Sequence, residues 1–332
     1  MKVLIVKTSS MGDIIHTLPA ITDAVNAIEG IRFDWVVEES FKEIPRWHSA
    51  VDRVIPIAVR RWRKAPLKAL KSGQWRAYKE QLQSSEYDAV IDAQGLIKSA
   101  ALAVYLAKGE SYGFDKTSIK EPMAAKFYQH KIHVSKNKHA VERTRQLFAQ
   151  ALGYRLPQEL GEFGILENFD IKDGQSYLVF NHGTTRADKH YPEAYWQEII
   201  ALATADGWHI KIPWSNELER ARAERFATAN EQVEVLARLP LCGVASVIAN
   251  AVGCISVDTG LSHLSAALEK PNVTLFGPTD PGLVGGYGKN QLTLLASDYP
   301  QQVVAIEPAV FAPLLPVIVW QQFKQLLAGI KA

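Results

Sequence analysis

VLIVKTSSMGDIIHTLPA (residues 3–20) opens with four consecutive apolar residues. It then crosses a short loop of Lys7, hydroxyl residues and Gly12, and resumes as a helical pattern from Ile14 to Ile28. An unbroken apolar run is the mark of a strand covered on both faces, as in a parallel sheet. The same rhythm continues outward. FDWVVE (33–38) and RVIPIAV (53–59) read as strands, 74–85 as a helix, and AVIDA (89–93) as a strand entering a helix through Leu106. The pattern weakens over 155–175 and restarts. YLVFNHG (177–183) reads as a strand, and PEAYWQEIIALATADG (192–207) as a helix opened by Pro192 and stopped by Gly207. HIKIPW (209–214), VEVL (233–236), CISVD (254–258) and NVTLFG (272–277) are further strands. The alternation predicts an α/β chain of two doubly wound, Rossmann-like parallel-sheet domains in tandem, over 1–165 and 166–332. An amphipathic last helix near 311–330 is free to pack back on the first domain.

Composition agrees. At about 150 residues per domain, the 332 residues fit two domains. With 47% hydrophobic and 22% charged residues, the chain is neither disordered, collagenous nor a disulfide scaffold. Cys242 and Cys254 read as reduced core residues, and no C-x-x-C pair points to zinc. No apolar run is long enough to span a bilayer. The N-terminus reads as a first strand, not a signal peptide.

A formal net charge of +2 conceals a split. Residues 1–165 carry 25 Lys and Arg against 18 Asp and Glu, and the remainder carries 12 against 17. The excess concentrates at 40–80, with 11 against 3, and at 115–145, with 8 against 3. Arg60, Arg61, Arg63 and Lys64 follow a strand-like run, beside Trp62 and Pro66. That is a strand's carboxyl end, where open α/β sheets bind ligands, so the cluster points to an anionic partner as well as to a solvated face.

Three motifs carry candidate chemistry. The loop KTSSMGDIIHTLP (7–19) places backbone N–H groups at a helix start, suited to an anion or a sugar oxygen. Asp13 there is explained by helix capping alone, and is otherwise a carboxylate base. Neither G-x-G-x-x-G nor a P-loop occurs, which weakens dehydrogenase and NTPase readings. In HGTTRADKHYP (182–192), Thr184, Thr185, Arg186 and Lys189 can hold a diphosphate without a metal. In SVDTGLSHLSAALEKPNVTLFGPTDP (256–281), Asp258, Thr259 and Gly260 end a strand, and His263 lies on the first turn of the following helix. Glu219 sits in a charged helical stretch whose default role is surface pairing. His139 and Arg143, four apart, share a helix face. No metal-ligand spacing and no RNA-binding aromatic signature appears.

VLIVKTSSMGDIIHTLPA, FDWVVEE, RRWRK, YDAVIDAQGLIKSA, HAVERTR, TTRADKHYP and SVDTGLSHLSAAL…PTDPGLVGGYGKN together resemble the ADP-heptose:lipopolysaccharide heptosyltransferases over nearly the whole chain, in RRWRK the type I branch. The resemblance implies a GT-B fold, two Rossmann-like domains facing across a cleft. It implies inverting, metal-independent transfer of L-glycero-D-manno-heptose from ADP-heptose to the inner Kdo of Kdo2-lipid A. No cofactor is implied, since ADP-heptose is a substrate.

By the same resemblance Asp13 is the general base. Thr184, Thr185, Lys189, Glu219, Leu239, Asp258, Thr259, Gly260 and His263 are donor-binding. Ser10, Arg60, Arg61, Arg63, Lys64, Lys98, Lys120, His139 and Arg143 are acceptor-binding. Leu239 stands where the family carries a methionine at the adenine. Lys120 stands where a relative carries arginine, keeping the charge without the bidentate fork. A cytoplasmic monomer, peripheral on the anionic inner-membrane surface and without nucleic-acid partners, completes the expectation. A transferase for another nucleotide-sugar and a non-catalytic glycolipid-binding module remain the alternatives.

Overall fold

The structure is a computed structural model that describes all residues except 66–70, 173, 175, 229, 303–304 and 332, and the side chain of Lys331. Pro66 and Lys68 of the basic stretch therefore lie outside the described residues. The chain divides into two compact units, Met1–Asn168 and Phe169–Ala332.

The first unit is a six-stranded parallel sheet. Its strands are β1 (Lys2–Val6), β2 (Arg32–Glu38), β3 (Val51–Ile57), β4 (Glu86–Asp92), β5 (Lys108–Phe114) and β6 (His130–Ile132), in the order β3-β2-β1-β4-β5-β6. Val3–Val6 of the central strand are wholly buried, which is why its sequence is apolar without alternation. Burial of this kind stabilises by about 1.5–3 kcal/mol per large side chain. The helical pattern after β1 resolves into two helices, α1 (Met11–Ile15) and α2 (Leu18–Ala27), because the turn at His16–Thr17 precedes Pro19. α3 (Val59–Lys64) begins just past β3, so the basic cluster is helical. α4 (Gln74–Gln83) follows. α5 (Ala140–Leu152) packs on α2, where Arg145 Nε donates to Asp23 Oδ2 at 2.6 Å in a buried pair. The helix expected through Leu106 is a short α-turn, Ile97–Ser99, continued as π-helix over Ala100–Val104.

The second unit repeats the winding with β7 (Tyr177–Asn181), β8 (His209–Ile212), β9 (Val233–Val235), β10 (Gly253–Val257), β11 (Asn272–Phe276) and β12 (Gln291–Leu295). Their order is β12-β11-β10-β7-β8-β9, all parallel. Flanking helices are α6 (Glu193–Ala205), α7 (Glu217–Ala227), α8 (Leu241–Ala249), α9 (Gly260–Ala267) and α10 (Pro316–Lys331). α10 packs on α6 and buries Val319, Trp320 and Phe323 in this unit's core. Cys254 is buried in β10, as expected. Cys242 is exposed, contrary to the core assignment, because α8 turns Val244, Ala245, Ile248 and Ala249 inward and leaves Cys242 on its outer face.

Candidate functional site

In an open parallel sheet the ligand crevice forms outside the strands' carboxyl ends, where the strand order reverses. The reversals fall between β1 and β4 in the first unit and between β7 and β10 in the second. The motif loops lie at these two points.

In the first unit, the loop after β1 is fastened to the loop after β4. Gln94 Oε1 accepts the backbone N–H of Thr8 at 2.8 Å, that of Ser9 at 2.9 Å and the Thr8 hydroxyl at 3.1 Å. Lys7, nearly buried, donates from Nζ to the Ala93 carbonyl at 2.9 Å and stands 3.6 Å from Asp13 Oδ1. The Ser10 N–H and hydroxyl both donate to Asp13 Oδ2, at 2.7 and 2.8 Å, closing a capping box on α1. Asp13 thus fills its capping role through Oδ2, while its side chain remains 45% exposed and Oδ1 lies beside an ammonium.

The acceptor candidates occupy neighbouring strand ends. Arg60, Arg61, Arg63 and Lys64 line α3, all exposed. Glu38, at the end of β2, accepts the Arg60 N–H at 3.1 Å. Burial pushes its carboxyl above the usual range, against the pull of the Arg60 N–H and the charges of Arg60 and Lys98. Arg61 is already paired. Its guanidinium meets both Glu39 oxygens, at 2.9 and 2.8 Å, and Gln74 Oε1 at 2.6 Å. Lys98 and Lys120, both exposed, follow β4 and β5. His139 caps α5, accepting the Val141 N–H at 3.2 Å. Arg143 donates to the Ser118 carbonyl at 2.5 Å with its guanidinium 4.9 Å from the Phe114 ring, and burial lowers its pKa.

In the second unit, Lys189 Nζ donates to Asp258 Oδ2 at 2.5 Å and the Thr184 hydroxyl to the Asp258 carbonyl at 3.3 Å. These bonds bring two of the predicted donor motifs together. Thr259 is the N-cap of α9, followed by Gly260, with His263 buried one turn on. Thr185 is exposed on the same loop, where Arg186 pairs with Asp188. Leu239 lies half-buried before α8, against Gly243. Among the described residues, Glu219 does not form the surface ion pair that its helix suggests. Its Oε2 accepts the Ser215 N–H and hydroxyl, both at 2.7 Å, and its carboxylate closes on Gly183 so tightly that a Cβ there would meet it at 2.7–2.9 Å. Glu219 therefore joins the loop after β7.

Sequence reasoning passed over four features. Gln94 and Lys7 staple the first loop, and the strand-end position of Gln94 after AVIDA was the available signal. His16, inside the first motif, faces His139 edge-on with ring centroids 5.3 Å apart. His182 is buried against Phe226, with neither ring nitrogen hydrogen-bonded among the described residues, and burial followed by the Arg222 charge lowers its pKa to about 3. His190 Nδ1 lies 2.8 Å from Arg222 Nη1, so that nitrogen is the acceptor. Arg222 also donates to Glu193 at 3.2 Å. This clamp ties the residue after Lys189 to α7, and only the fold reveals it.

Among the described residues, no three His, Cys, Asp or Glu side chains converge as a metal set would, and no helix is long and apolar enough to cross a membrane.

Two doubly wound sheets of identical order, each with polar loops at its switch point, make an α/β, GT-B-like two-domain fold. The pattern of glycosyltransferase family 9 (heptosyltransferase) matches residues 75–308. Lipopolysaccharide heptosyltransferase 1 of Escherichia coli (strain K12) is 56% identical over 299 residues, covering 89% of this chain and 94% of the relative. The Pseudomonas aeruginosa protein of the same name is 54% identical over 302 residues, covering 90% and 85%. The solved structure of E. coli heptosyltransferase WaaC with ADP superposes with a TM-score of 0.92 at 52% identity, covering 98% of this chain and 100% of that one. The same enzyme with ADP-2-deoxy-2-fluoro heptose gives 0.89 at 51%, covering 98% and 99%. The chain belongs to glycosyltransferase family 9, the heptosyltransferases, and is a glycosyltransferase.

Proposed function

We propose that this protein transfers L-glycero-D-manno-heptose from ADP-heptose to the inner Kdo of Kdo2-lipid A, in lipopolysaccharide core assembly, with inversion at the anomeric carbon. The observation that carries the reading is the position of Asp13 and of the Lys189–Asp258 pair at the two switch points. The chain that holds them is more than half identical to curated lipopolysaccharide heptosyltransferase 1 proteins.

In this reading Asp13 takes the proton of the Kdo hydroxyl through Oδ1, while Oδ2 keeps the cap with Ser10. The hydroxyl oxygen forms the new bond to the anomeric carbon. The bond from that carbon to the diphosphate oxygen breaks, and ADP leaves with the electron pair. Lys189, Thr184, Thr185 and the α9 N-terminus at Thr259 and Gly260 meet the diphosphate, supplying the charge stabilisation that makes ADP a competent leaving group without a metal. Asp258 holds Lys189 in place, and Glu219, Leu239 and His263 line the nucleoside side. Ser10, Arg60, Arg63, Lys64, Lys98, Lys120, His139 and Arg143 face the acidic acceptor. Arg61, already held by Glu39, serves by positioning α3. The protein works as a monomer on the cytoplasmic face of the inner membrane.

ADP release from ADP-L-glycero-D-manno-heptose, with and without Kdo2-lipid A and with a chelator present, tests all of this. Acceptor-dependent release that survives chelation and is lost in Asp13→Ala supports the reading. Donor binding without release under any condition sinks it, and release abolished by the chelator removes its metal-independence.

A further inference from the structure

In the first unit two segments lie side by side. Ile97 N–H donates to Glu121 Oε2 at 2.7 Å at one end, and the Tyr105 and Phe127 rings meet edge-on with centroids 6.3 Å apart at the other. The helical stretch from Ile97 to Val104 therefore runs parallel to the 3-10 helix Pro122–Phe127. The ridge they form presents large apolar side chains to solvent: Tyr105 is 75% exposed, Met123 54% and Ile97 44%. Three exposed lysines, Lys98, Lys120 and Lys126, are interleaved with them. The nearby acid, Glu121, is already bonded to the Ile97 N–H.

We propose that this ridge is a membrane-docking surface that seats its apolar side chains in the headgroup region of an anionic phospholipid bilayer. Interleaved apolar and cationic side chains are the pattern of an interfacial segment. Tyr and Met enter the acyl boundary while ammonium groups meet lipid phosphates, each lysine adding attraction that salt screens. A protein partner would be served by the apolar groups alone, whereas the three lysines select a polyanionic surface. The ridge is also continuous with the acceptor side, because Lys98 and Lys120 belong to both. The inference rests on the lipid-linked acceptor proposed above, since that substrate's acyl chains stay in the bilayer while its sugars reach the strand ends.

The experiment is vesicle co-sedimentation with the full chain. Phosphatidylglycerol–phosphatidylethanolamine vesicles are compared with phosphatidylcholine vesicles, at low and high salt. The variants are Tyr105→Ser/Met123→Ser and Lys126→Glu. The wild type is expected to partition to the anionic vesicles and to release as salt rises. The double variant should bind about tenfold more weakly or worse, and Lys126→Glu should lose much of its preference for anionic lipid. Each variant should retain wild-type ADP release with a water-soluble, deacylated Kdo acceptor. Absent wild-type binding, or undiminished binding by the double variant, overturns the proposal. So does a wild-type dimer in solution that the double variant dissolves, which would assign the ridge to a second copy of this chain. Failure of ADP release by the wild type with the soluble acceptor, with vesicle binding intact, strikes the transferase reading and not this surface.

Discussion

Lys189 Nζ and Asp258 Oδ2 are 2.5 Å apart, joining the loop after β7 to the loop after β10 across the switch point of the second sheet. Both side chains are largely buried, 17% and 9% exposed. Removing one partner leaves the other charge uncompensated, which costs more than the pair contributes. Lys189→Ala should therefore lose about 3 kcal/mol of stability. It should also lose about 10²–10³-fold in kcat/KM for ADP-heptose, the effect of deleting a group that stabilises leaving-group charge. Urea denaturation and donor-varied steady-state kinetics read the two effects separately. A variant with the wild-type kcat/KM would remove Lys189 from the diphosphate site.

Gly183 and Glu219 make a second close approach. A methyl group at Gly183 would stand 2.7–2.9 Å from the Glu219 carboxylate. The atoms it meets are the far end of a flexible side chain, so Glu219 gives way and the fold survives. Gly183→Ala should change stability by less than about 1 kcal/mol. Its expected consequence is a displaced Glu219 and a donor affinity weaker by about tenfold, the loss of one charged hydrogen bond. Calorimetry with ADP would show it. Unchanged ADP affinity would place Glu219 outside the nucleotide site.

The elements that sequence made legible are those whose local pattern and tertiary environment agree. β1, β7, β10 and β11 are buried on both faces and read as largely apolar runs, and the polar strings after β1, β7 and β10 fall at the switch points. β5 and β6 escape because KGESYGF and HKI carry charged and small residues outward. They lie toward the sheet's edge, where burial on both faces is not required. Asp13, Lys189 and Asp258 could be named from their positions between strand and helix. Gln94, Arg222 and His182 act through partners distant in sequence, and no spacing announces those. Arg61 reads as one more cation in RRWRK, and its pairing with Glu39, 22 residues away, appears only once β2 and β3 lie side by side.

Asp13 holds a structural bond and, in the proposed mechanism, a chemical role, and two substitutions separate them. Asn keeps an oxygen able to accept from the Ser10 N–H, whereas Ala does not. Asp13→Ala should cost about 1 kcal/mol through the lost cap, and Asp13→Asn much less. Both should lose about 10²–10⁴-fold in kcat, the range of general-base catalysis. If Asp13→Asn turns over at the wild-type rate, the carboxylate is a cap and not the base.

His182 gives a pH dependence of definite sign. Its imidazole is buried against Phe226 and faces Arg222, His190 and Glu193. Burial first, then the Arg222 and His190 charges, move it from the ordinary 6.5 down to about 3. Between those values the unfolded chain binds a proton that the folded chain refuses. The contribution to stability is therefore complete above 6.5 and is lost as pH falls toward 3. At pH 5 the loss amounts to about 2 kcal/mol relative to neutral pH. His48, lowered to about 4 by burial, acts with the same sign. Among the described residues neither ring nitrogen of His182 is hydrogen-bonded, so phenylalanine can take its place against Phe226 without orphaning a partner there. His182→Phe should therefore reduce the stability difference between pH 7 and pH 5 by about 2 kcal/mol, leaving the parts due to His48 and to His190, whose pKa burial also lowers. Urea denaturation at the two pH values measures this directly. An unchanged difference would mean that the His182 imidazole takes up its proton as readily in the folded protein as in the unfolded chain.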